Sequence, residues 1–355
     1  MHDDHTNRTG YPWVPGSATG IGSMPGTDPG EAMRVIAGEL PGFPHLPELP
    51  DRGPGADLTG RTAGVLVDIP AEVTLRGWRL AEHSGRDLAR ARSMLSSDLD
   101  VLEEALQGYQ GAVKIQLCGP WTLAATLELP KTMNVALADP GAVADLTASL
   151  AEGAAAHAAD VARRVPGARL VVQFDEPALP SVVAGLVPTQ SGMSRLAAVE
   201  ADTVQGVLGQ VLAATAAYTV VHCCAAAVPF GIIQKAGADG LSFDLSQLRR
   251  GEEDAVAEAA EAGLGLLTGA VPAIAGEAAG SEPPGEAGGA RQTAERVIRL
   301  WRRLGLPLAT CAAQAVITPA CGLAGASPGR AREVLARCHQ AAGMLAELIE
   351  DTGGD

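Results

Sequence analysis

The sequence predicts an α/β fold, a (β/α)8 TIM barrel that forms a single domain. Short apolar or β-branched runs bounded by Gly, Pro or Asp occur eight times along the chain, as expected for buried parallel strands. Stretches with apolar residues at helical spacing lie between these runs. Strands that alternate with helices indicate a parallel sheet, and a count of eight favours a closed barrel over an open three-layer sheet, which is the alternative. The length of 355 residues suits one such barrel.

The predicted elements follow one another in chain order. The predicted strands are 18–23, 63–69, 112–118, 169–175, 218–224, 239–244, 264–270 and 314–321. The predicted helices, rich in Ala, Leu, Arg and Glu, are 28–40, 86–109, 140–164, 193–216, 250–262, 290–304 and 328–350.

Two segments interrupt this alternation. Segment 41–62 is dense in Pro and Gly but carries apolar residues that need burial, which predicts a long ordered loop after the first helix. Segment 274–290 consists mainly of small residues, Glu and Gly, which predicts a mobile loop near the end of the seventh strand. We therefore expect a flexible N-terminal tail over residues 1–14 and a catalytic barrel over residues 15–350.

The composition excludes several classes of partner. The formal net charge is −15, and no cluster of arginines is evident on one helical face, so we expect no nucleic-acid partner. Residues 1–14 lack the basic and apolar regions of a signal peptide, and no window approaches 18 uninterrupted apolar residues. We therefore expect a cytoplasmic protein without membrane contact. Six cysteines at irregular spacing do not form a disulfide framework, and free thiols in such a protein favour a metal-binding or catalytic role.

The fifth predicted strand ends in the run TVVHCCAA, which has the pattern of half a zinc site. Side chains two positions apart on a strand point the same way, so His222 and Cys224 face the barrel mouth together while Cys223 turns away. Asp244 and Cys321 come at the ends of the sixth and eighth strands, where barrels assemble their sites. A His, two Cys and a carboxylate suit Zn²⁺. The alternatives are buried structural cysteines with a histidine that satisfies a backbone carbonyl, or a disulfide between the two adjacent cysteines.

Five motifs together resemble those of a known family. GIGSMPGT (20–27), KIQLCGPWT (114–122), VVQFDEPAL (171–179), VVHCC (220–224) and TPACGLA (318–324) are similar, in the same order, to motifs of the catalytic C-terminal barrel of cobalamin-independent methionine synthase. That family belongs to the uroporphyrinogen decarboxylase/methionine synthase-like superfamily. The resemblance implies a TIM barrel that transfers a methyl group to the zinc-bound thiolate of homocysteine to give methionine.

The resemblance also implies roles for individual residues. The metal ligands are His222, Cys224, Cys321 and Asp244, with Asp where the family has Glu. The turn of Ile21, Gly22 and Ser23 holds the carboxylate of the amino acid, and Asp175 accepts its ammonium group. Asp68 is a second candidate for the ammonium group. Asp175 and His222 are the predicted catalytic residues.

The neighbouring Glu176 should point away from the site because side chains alternate along a strand. The run Asp175-Glu176-Pro177 has a simpler interpretation as the cap of the next helix.

The sequence departs from the family at the positions that concern the methyl donor. The Trp that follows G-P-x-T in the family is missing, and the seventh strand ends in LLTGAVPA where the family has an Asp and a His. We therefore expect homocysteine or a similar small thiol as acceptor, and methyltetrahydrofolate or a methylcorrinoid protein as donor. The alternatives are a corrinoid-dependent methyltransferase that acts on another small thiol and a non-catalytic zinc-binding barrel.

Overall fold

The computed structural model describes residues 10–132, 134–273 and 289–351. In this part of the chain the strands are β1 Ala71–Thr74, β2 Gly77–Leu80, β3 Gly111–Cys118, β4 Ala168–Asp175, β5 Tyr218–Cys223, β6 Gly240–Asp244, β7 Gly265–Val271 and β8 Ala315–Pro319. The helices are α1 Pro29–Glu39, α2 Leu58–Val65, α3 Arg86–Ala105, α4 Pro120–Thr126, α5 Pro140–Arg164, α6 Leu179–Val183, α7 Ala201–Leu212, α8 Phe230–Lys235, α9 Glu253–Glu261, α10 Ala290–Arg303, α11 Leu308–Gln314 and α12 Pro328–Asp351. Short 3-10 turns occur at Pro50–Arg52, Ala136–Ala138 and Arg250–Glu252.

Strands β3 to β8 form a six-stranded parallel sheet in sequential order, with helices between successive strands. This arrangement confirms the predicted α/β barrel class. The register places Asp175 beside both Cys118 and His222, and His222 beside Ser242. The carboxyl ends of neighbouring strands therefore meet at one rim, where barrels build their sites.

Two further segments connect β8 back to β3. Ala18 bridges Ile317 of β8, and Ser23 bridges Glu48 in the second segment. His45 of that second segment bridges Lys114 of β3. All these bridges are parallel, so residues around 18–23 and 45–48 take the first and second strand positions of an eight-membered ring.

The predicted second strand, 63–69, is wrong. Residues Leu58–Val65 form helix α2, and the second barrel position lies at 45–48, inside the segment predicted as a loop. Pro44 and Pro47 have no backbone N–H, so this segment pairs only at intervals: Lys114 N donates to Pro44 O at 3.0 Å, and Leu46 N donates to Lys114 O at 2.9 Å. A proline-rich segment that pairs at alternate residues does not have the apolar run of a buried strand.

An aromatic cluster closes the end of the barrel where the strands begin. Trp13, 1% exposed, stacks on Phe43 with ring centroids 5.6 Å apart and meets the ring of Tyr218 edge-on at 5.2 Å. It packs with the apolar side chains of Ala112, Val171, Val220, Leu267 and Val316. Residues 1–9 of the predicted tail lie outside the described residues, but Trp13 belongs to the core. Residues 274–288 of the predicted mobile loop also lie outside them.

In the described part of the chain, no helix has both the length and the apolar character needed to cross a membrane.

Candidate metal centre

His222, Cys224 and Cys321 meet at the rim formed by the strand ends. One ligand atom from each residue lies within 4.8 Å of the other two, and the two Sγ atoms are 3.1 Å apart. His222 is the penultimate residue of β5 and is 3% exposed, whereas the two cysteines follow β5 and β8 and are half-buried. Cys223, between two of these residues, turns away and packs in the main apolar core.

The imidazole of His222 is held by its neighbour on β6. Its Nδ1 atom lies 2.8 Å from Ser242 Oγ, within hydrogen-bond distance, and Ser242 is 2% exposed. A partner on one ring nitrogen fixes the orientation of the ring and leaves Nε2 for a ligand. This is a common arrangement around metal-ligating histidines.

The pKa values of the two cysteine thiols are shifted in opposite directions. The hydrogen bond between Cys224 and Cys321, together with His222, lowers the pKa of Cys321 below that of an ordinary thiol. The same hydrogen bond, followed by burial, raises the pKa of Cys224. The pair therefore favours one thiolate stabilised by one thiol. A thiolate is the form of cysteine that binds metals.

The donor set fits zinc. One imidazole nitrogen and two sulfurs are ligands that Zn²⁺ prefers, and three protein ligands with an open fourth position are the composition of catalytic zinc sites. Two sulfurs about 2.3 Å from one tetrahedral ion lie about 3.8 Å apart, so a separation of 3.1 Å requires a small outward shift. Both half-buried cysteines line a cavity of about 590 Å³, which leaves room for that shift and for a ligand.

Asp244 does not belong to the three-residue cluster. It lines the same cavity, and its Oδ1 atom accepts a hydrogen bond from Ser246 N at 2.8 Å. Burial raises the pKa of its carboxyl group. The structure thus brings together three of the four predicted ligands and places the fourth on the cavity wall.

Asp175 lies next to His222 in the sheet register and is 7% exposed. Gln173 Nε2 donates to Asp175 Oδ1 at 2.6 Å and also to Ile21 O at 2.9 Å. Burial, and then the nearby Glu48, raise the pKa of Asp175 well above its ordinary value. Lys114 opposes this rise in pKa, but among the described residues burial and Glu48 outweigh it.

Glu48 is the acidic residue that sequence reasoning missed. It is 4% exposed, and its Oε1 atom has no hydrogen-bond partner among the described residues. Burial raises its pKa, and Arg61 opposes that rise. In the sequence, Glu48 stands as a lone acid among apolar residues and prolines in HLPEL, which is the one feature that separates it from an ordinary loop acid.

Several buried groups hold the segment that carries Glu48. Arg61 Nη1 donates to Pro47 O at 3.1 Å and to Asp98 Oδ2 at 2.9 Å. Arg52 reaches the same carboxylate with both terminal nitrogens, at 2.7 and 2.8 Å. Asp98 and Arg61 are both at most 1% exposed. Asp98 thus holds Arg61 in place, and the hydrogen bond from Arg61 to Pro47 O fixes the second barrel segment.

The turn of Ile21, Gly22 and Ser23 packs against both the acidic residues and the cysteine loop. Ile21 O accepts a hydrogen bond from Lys114 Nζ at 2.6 Å, and Ser23 O accepts one from Leu323 N at 2.8 Å. A Cβ atom at Gly22 would lie 2.8 Å from the side chain of Gln116, so only glycine fits there. The turn therefore lies between Asp175, Glu48 and the loop of Cys321.

Glu176 points away from the site, as strand alternation predicts. Its carboxylate accepts hydrogen bonds from the backbone N–H groups of Trp121 and Thr122, at 2.9 and 2.7 Å, and from the Thr122 hydroxyl at 2.7 Å. It thus caps α4, which follows β3, and not the next helix along the chain. Burial raises the pKa of Glu176 to about 7.

Asp68 is not at the end of a strand, contrary to the prediction. It is exposed, in a turn after α2, with a φ angle of 56°. The prediction placed it at the end of a strand over 63–69, and that strand does not exist. The carboxylate beside Asp175 is that of Glu48.

Comparisons with known proteins agree with the fold. Among solved structures, a B12-independent methionine synthase from Shewanella sp. W3-18-1 in complex with selenomethionine is similar, with a TM-score of 0.61 and 13% identity, over 95% of this chain and 100% of that chain. A methyltransferase from Methanosarcina mazei has a TM-score of 0.58 and 13% identity, over 95% of each chain. At these identities the likeness concerns the fold. A search of curated proteins found no significant match.

The sequence, in addition to the fold, shows which family the chain belongs to. The family described as "Cobalamin-independent synthase, Catalytic domain" matches residues 16–344, which include both strand segments that close the barrel and all three residues of the cysteine and histidine cluster. The chain belongs to the family of cobalamin-independent synthase catalytic domains.

Proposed function

We propose that this protein is a zinc-dependent methyltransferase of the methionine synthase type that transfers a methyl group to the sulfur of homocysteine and forms methionine. The observation that carries the proposal is the meeting of His222, Cys224 and Cys321 on a cavity next to two buried carboxylates. Family membership supports the reaction class. The proposal assigns the cluster to the thiol and the carboxylates to the amino-acid part of the same substrate.

The cluster suits a thiol acceptor. Zinc, when bound, supplies a Lewis acid that stabilises a substrate thiol as the nucleophilic thiolate, since a free thiol has a pKa of about 8.5. His222, Cys224 and Cys321 are the residues that would hold the ion, with Ser242 orienting the imidazole. Asp244, on the cavity wall, is the proposed additional ligand.

The buried charges suit an amino acid with a free ammonium group. Asp175 and Glu48 contribute two carboxyl groups, and Lys114, whose pKa burial lowers to about 8, contributes one amine. These three groups by themselves carry a net charge of −1 when all are ionised, and Arg61, which is shared with Asp98, offsets only part of it. An ammonium group of the substrate would supply the missing positive charge and lower the pKa of both carboxyl groups.

The remaining part of the substrate is its carboxylate. The turn of Ile21, Gly22 and Ser23 offers backbone N–H groups between the acidic residues and the cysteine loop. We propose that this turn binds the carboxylate. The three substrate groups then point to three different parts of the site, which places the sulfur toward the cluster. Such positioning of reactants is a large part of catalysis in two-substrate reactions.

The test combines metal analysis with product formation. Purified wild-type protein should contain about one zinc per chain and convert homocysteine to methionine with methyltetrahydrofolate or methylcobalamin as donor. Cys321→Ser should lose both the metal and the activity, whereas Cys311→Ala, a change in the buried α11 cysteine outside the cluster, should keep both. Equal zinc content in wild type and Cys321→Ser, with no spectroscopic response to homocysteine, would contradict the proposal.

A further inference from the structure

Lys114 is a charged residue that lies deep inside the barrel. It is 0% exposed, whereas Lys131 and Lys235, the only other lysines of the chain, are both exposed. Burial lowers the pKa of Lys114 to about 8, and Asp175 and Glu48 oppose that change. A buried amine is costly unless its charge and its N–H groups are used. The burial of Lys114 therefore calls for a specific contact.

The amine of Lys114 contacts the turn over residues 21–23 directly. Its Nζ atom donates to Ile21 O at 2.6 Å and lies 3.5 Å from Gln116 Oε1. Gln173 Nε2 donates to the same Ile21 oxygen at 2.9 Å. One backbone carbonyl group thus accepts hydrogen bonds from two fully buried side chains, one on β3 and one on β4.

The other titratable groups near Lys114 do not replace this contact. Asp175 and Glu48 act on its amine through their opposite charge at longer range. His45 is 1% exposed and bridges Lys114 in the sheet. Burial, followed by the charge of Lys114, lowers the pKa of His45 well below 6.5, so this histidine stays neutral. The positive charge of Lys114 therefore remains beside the carbonyl group of Ile21.

These two hydrogen bonds fix the direction of the peptide bond between Ile21 and Gly22. Lys114 lies four residues before the end of β3 and Gln173 two residues before the end of β4, so both donate from below the rim. Ile21 O therefore points into the barrel. In a trans peptide the C=O and N–H groups point in opposite directions, and the described part of the chain contains no cis peptide bond. The N–H group of Gly22 thus points away from the interior, toward the rim.

This N–H group of Gly22 has no acceptor among the described residues. By contrast, Gly22 O accepts a hydrogen bond from Glu48 N at 3.1 Å, and Ser23 O accepts one from Leu323 N at 2.8 Å. The carbonyl groups of the turn are thus bound by donors of the protein, and the N–H group between them remains for a ligand. A backbone N–H group in front of a buried positive charge suits a carboxylate.

We propose that Lys114 is a positioning residue for the carboxylate of the substrate, because it holds Ile21 O inside the barrel and so directs Gly22 N–H to that carboxylate. The inference rests on the proposed function, which assigns the substrate carboxylate to this turn. Gln173 is the second donor to Ile21 O, and it also holds Asp175. The ammonium charge behind the peptide bond polarises it and strengthens its N–H group as a donor. Lys114 thus acts through the peptide group and not on the substrate directly.

Isotope labelling isolates this peptide group, because Ile21 and Gly22 form the only Ile-Gly pair in the sequence. Protein that carries ¹³C at the carbonyl carbon of isoleucine and ¹⁵N in glycine gives a single carbonyl-to-amide correlation in an NMR spectrum. In the wild type this signal should shift when 4-mercaptobutanoate is added, and much less with 3-aminopropanethiol, which has no carboxylate. Lys114→Met should move the carbonyl carbon resonance of the unliganded protein, since the hydrogen bond to Ile21 O is lost.

Calorimetric titration measures the consequence for binding. Lys114→Met should weaken the binding of 4-mercaptobutanoate about tenfold or more and change that of 3-aminopropanethiol less than about threefold, since loss of a positive charge does not disfavour an ammonium group. Lys235→Met, the same replacement at an exposed position on α8, is the control and should change neither. Lys114→Gln keeps an N–H donor in the interior. It should show the same pattern with a smaller loss, and it replaces Lys114→Met if that variant does not fold.

Three results would overturn the proposal. Equal losses for the two thiols would mean that Lys114 has only a general structural role. A Gly22 signal that does not respond to 4-mercaptobutanoate, or a carbonyl resonance that Lys114→Met leaves in place, would contradict the geometry. These measurements need no methyl transfer, so a protein that shows the expected responses but forms no methionine refutes only the proposed function.

Discussion

The replacement Glu48→Gln tests the amino-acid part of the site most directly. Gln keeps the size of the side chain and removes its charge. Since Glu48 is 4% exposed and one of its oxygens has no hydrogen-bond partner among the described residues, the charge is poorly compensated in the unliganded protein. We therefore expect the free energy of unfolding to stay the same or increase, because a buried charge that lacks a full partner is removed.

The same replacement should strongly weaken the binding of homocysteine. A hydrogen bond between a substrate ammonium group and a buried carboxylate contributes about 1.5–3 kcal/mol. Asp175 remains to hold the ammonium group, so we expect a loss of about 2–3 kcal/mol, which is roughly 30- to 150-fold in the dissociation constant. Zinc content should not change, since Glu48 is not part of the cluster.

Calorimetric titration with two ligands isolates this contribution. Homocysteine and 4-mercaptobutanoate differ only in the amino group, so the variant should lose affinity for the first and keep its affinity for the second. Asp68→Asn, which changes an exposed acid in the turn after α2, serves as the matched control and should change neither. Equal losses for both ligands, or a loss of less than threefold for homocysteine, would refute the assignment of Glu48 to the ammonium group.

Three further predictions address the metal, pH and the core. Ser242→Ala removes the partner of His222 Nδ1 at 2.8 Å and should weaken zinc affinity about 10- to 100-fold in a chelator competition, with unchanged circular dichroism; unchanged affinity would contradict the role of Ser242 in orienting the imidazole. Burial lowers the pKa of His157 to about 4, below its ordinary value of 6.5, so its contribution to stability is present above pH 6.5 and is lost as the pH falls toward 4, by about 3 kcal/mol. Denaturant unfolding of His157→Leu should show a flatter pH dependence in that window than the wild type, and equal slopes would contradict this cause. Trp13→Ala, at the end of the barrel opposite the cluster, should lower the free energy of unfolding by about 3–5 kcal/mol and leave zinc content unchanged, whereas a loss of zinc from the folded variant would show that the two ends are coupled.

The prediction of the fold succeeded where the apolar runs were continuous. Strands β3 to β8 lie within two residues of their predicted positions, because a strand buried on both faces leaves a run of apolar and β-branched residues in the sequence. The prediction of the second barrel strand failed for the opposite reason. Its prolines and its alternate pairing give no such run, and the apolar stretch 63–69, which is the end of α2 and the residues after it, resembles a strand in the sequence.

Part of the candidate site could likewise be predicted from the sequence, and part could not. The placement of His222 and Cys224 on one side of β5, with Cys223 on the other, follows from strand alternation. The sulfur of Cys321 joins them because parallel strands end at one rim. The role of Glu48 was not predicted, because the charged groups that act on it include Arg61 and Asp175, which are 13 and 127 positions away in the chain.

The sequence by itself determined the barrel class, the family and the two strand ends that carry the cysteines, because alternation and the order of motifs are properties of neighbouring residues. The tertiary structure alone decided which acid lies beside Asp175, that Asp244 lies on the cavity wall outside the three-residue cluster, and that two buried side chains hold the carbonyl group of Ile21. These outcomes depend on distances between residues far apart in the chain, and such distances are fixed only when the ring closes and the helices pack around it.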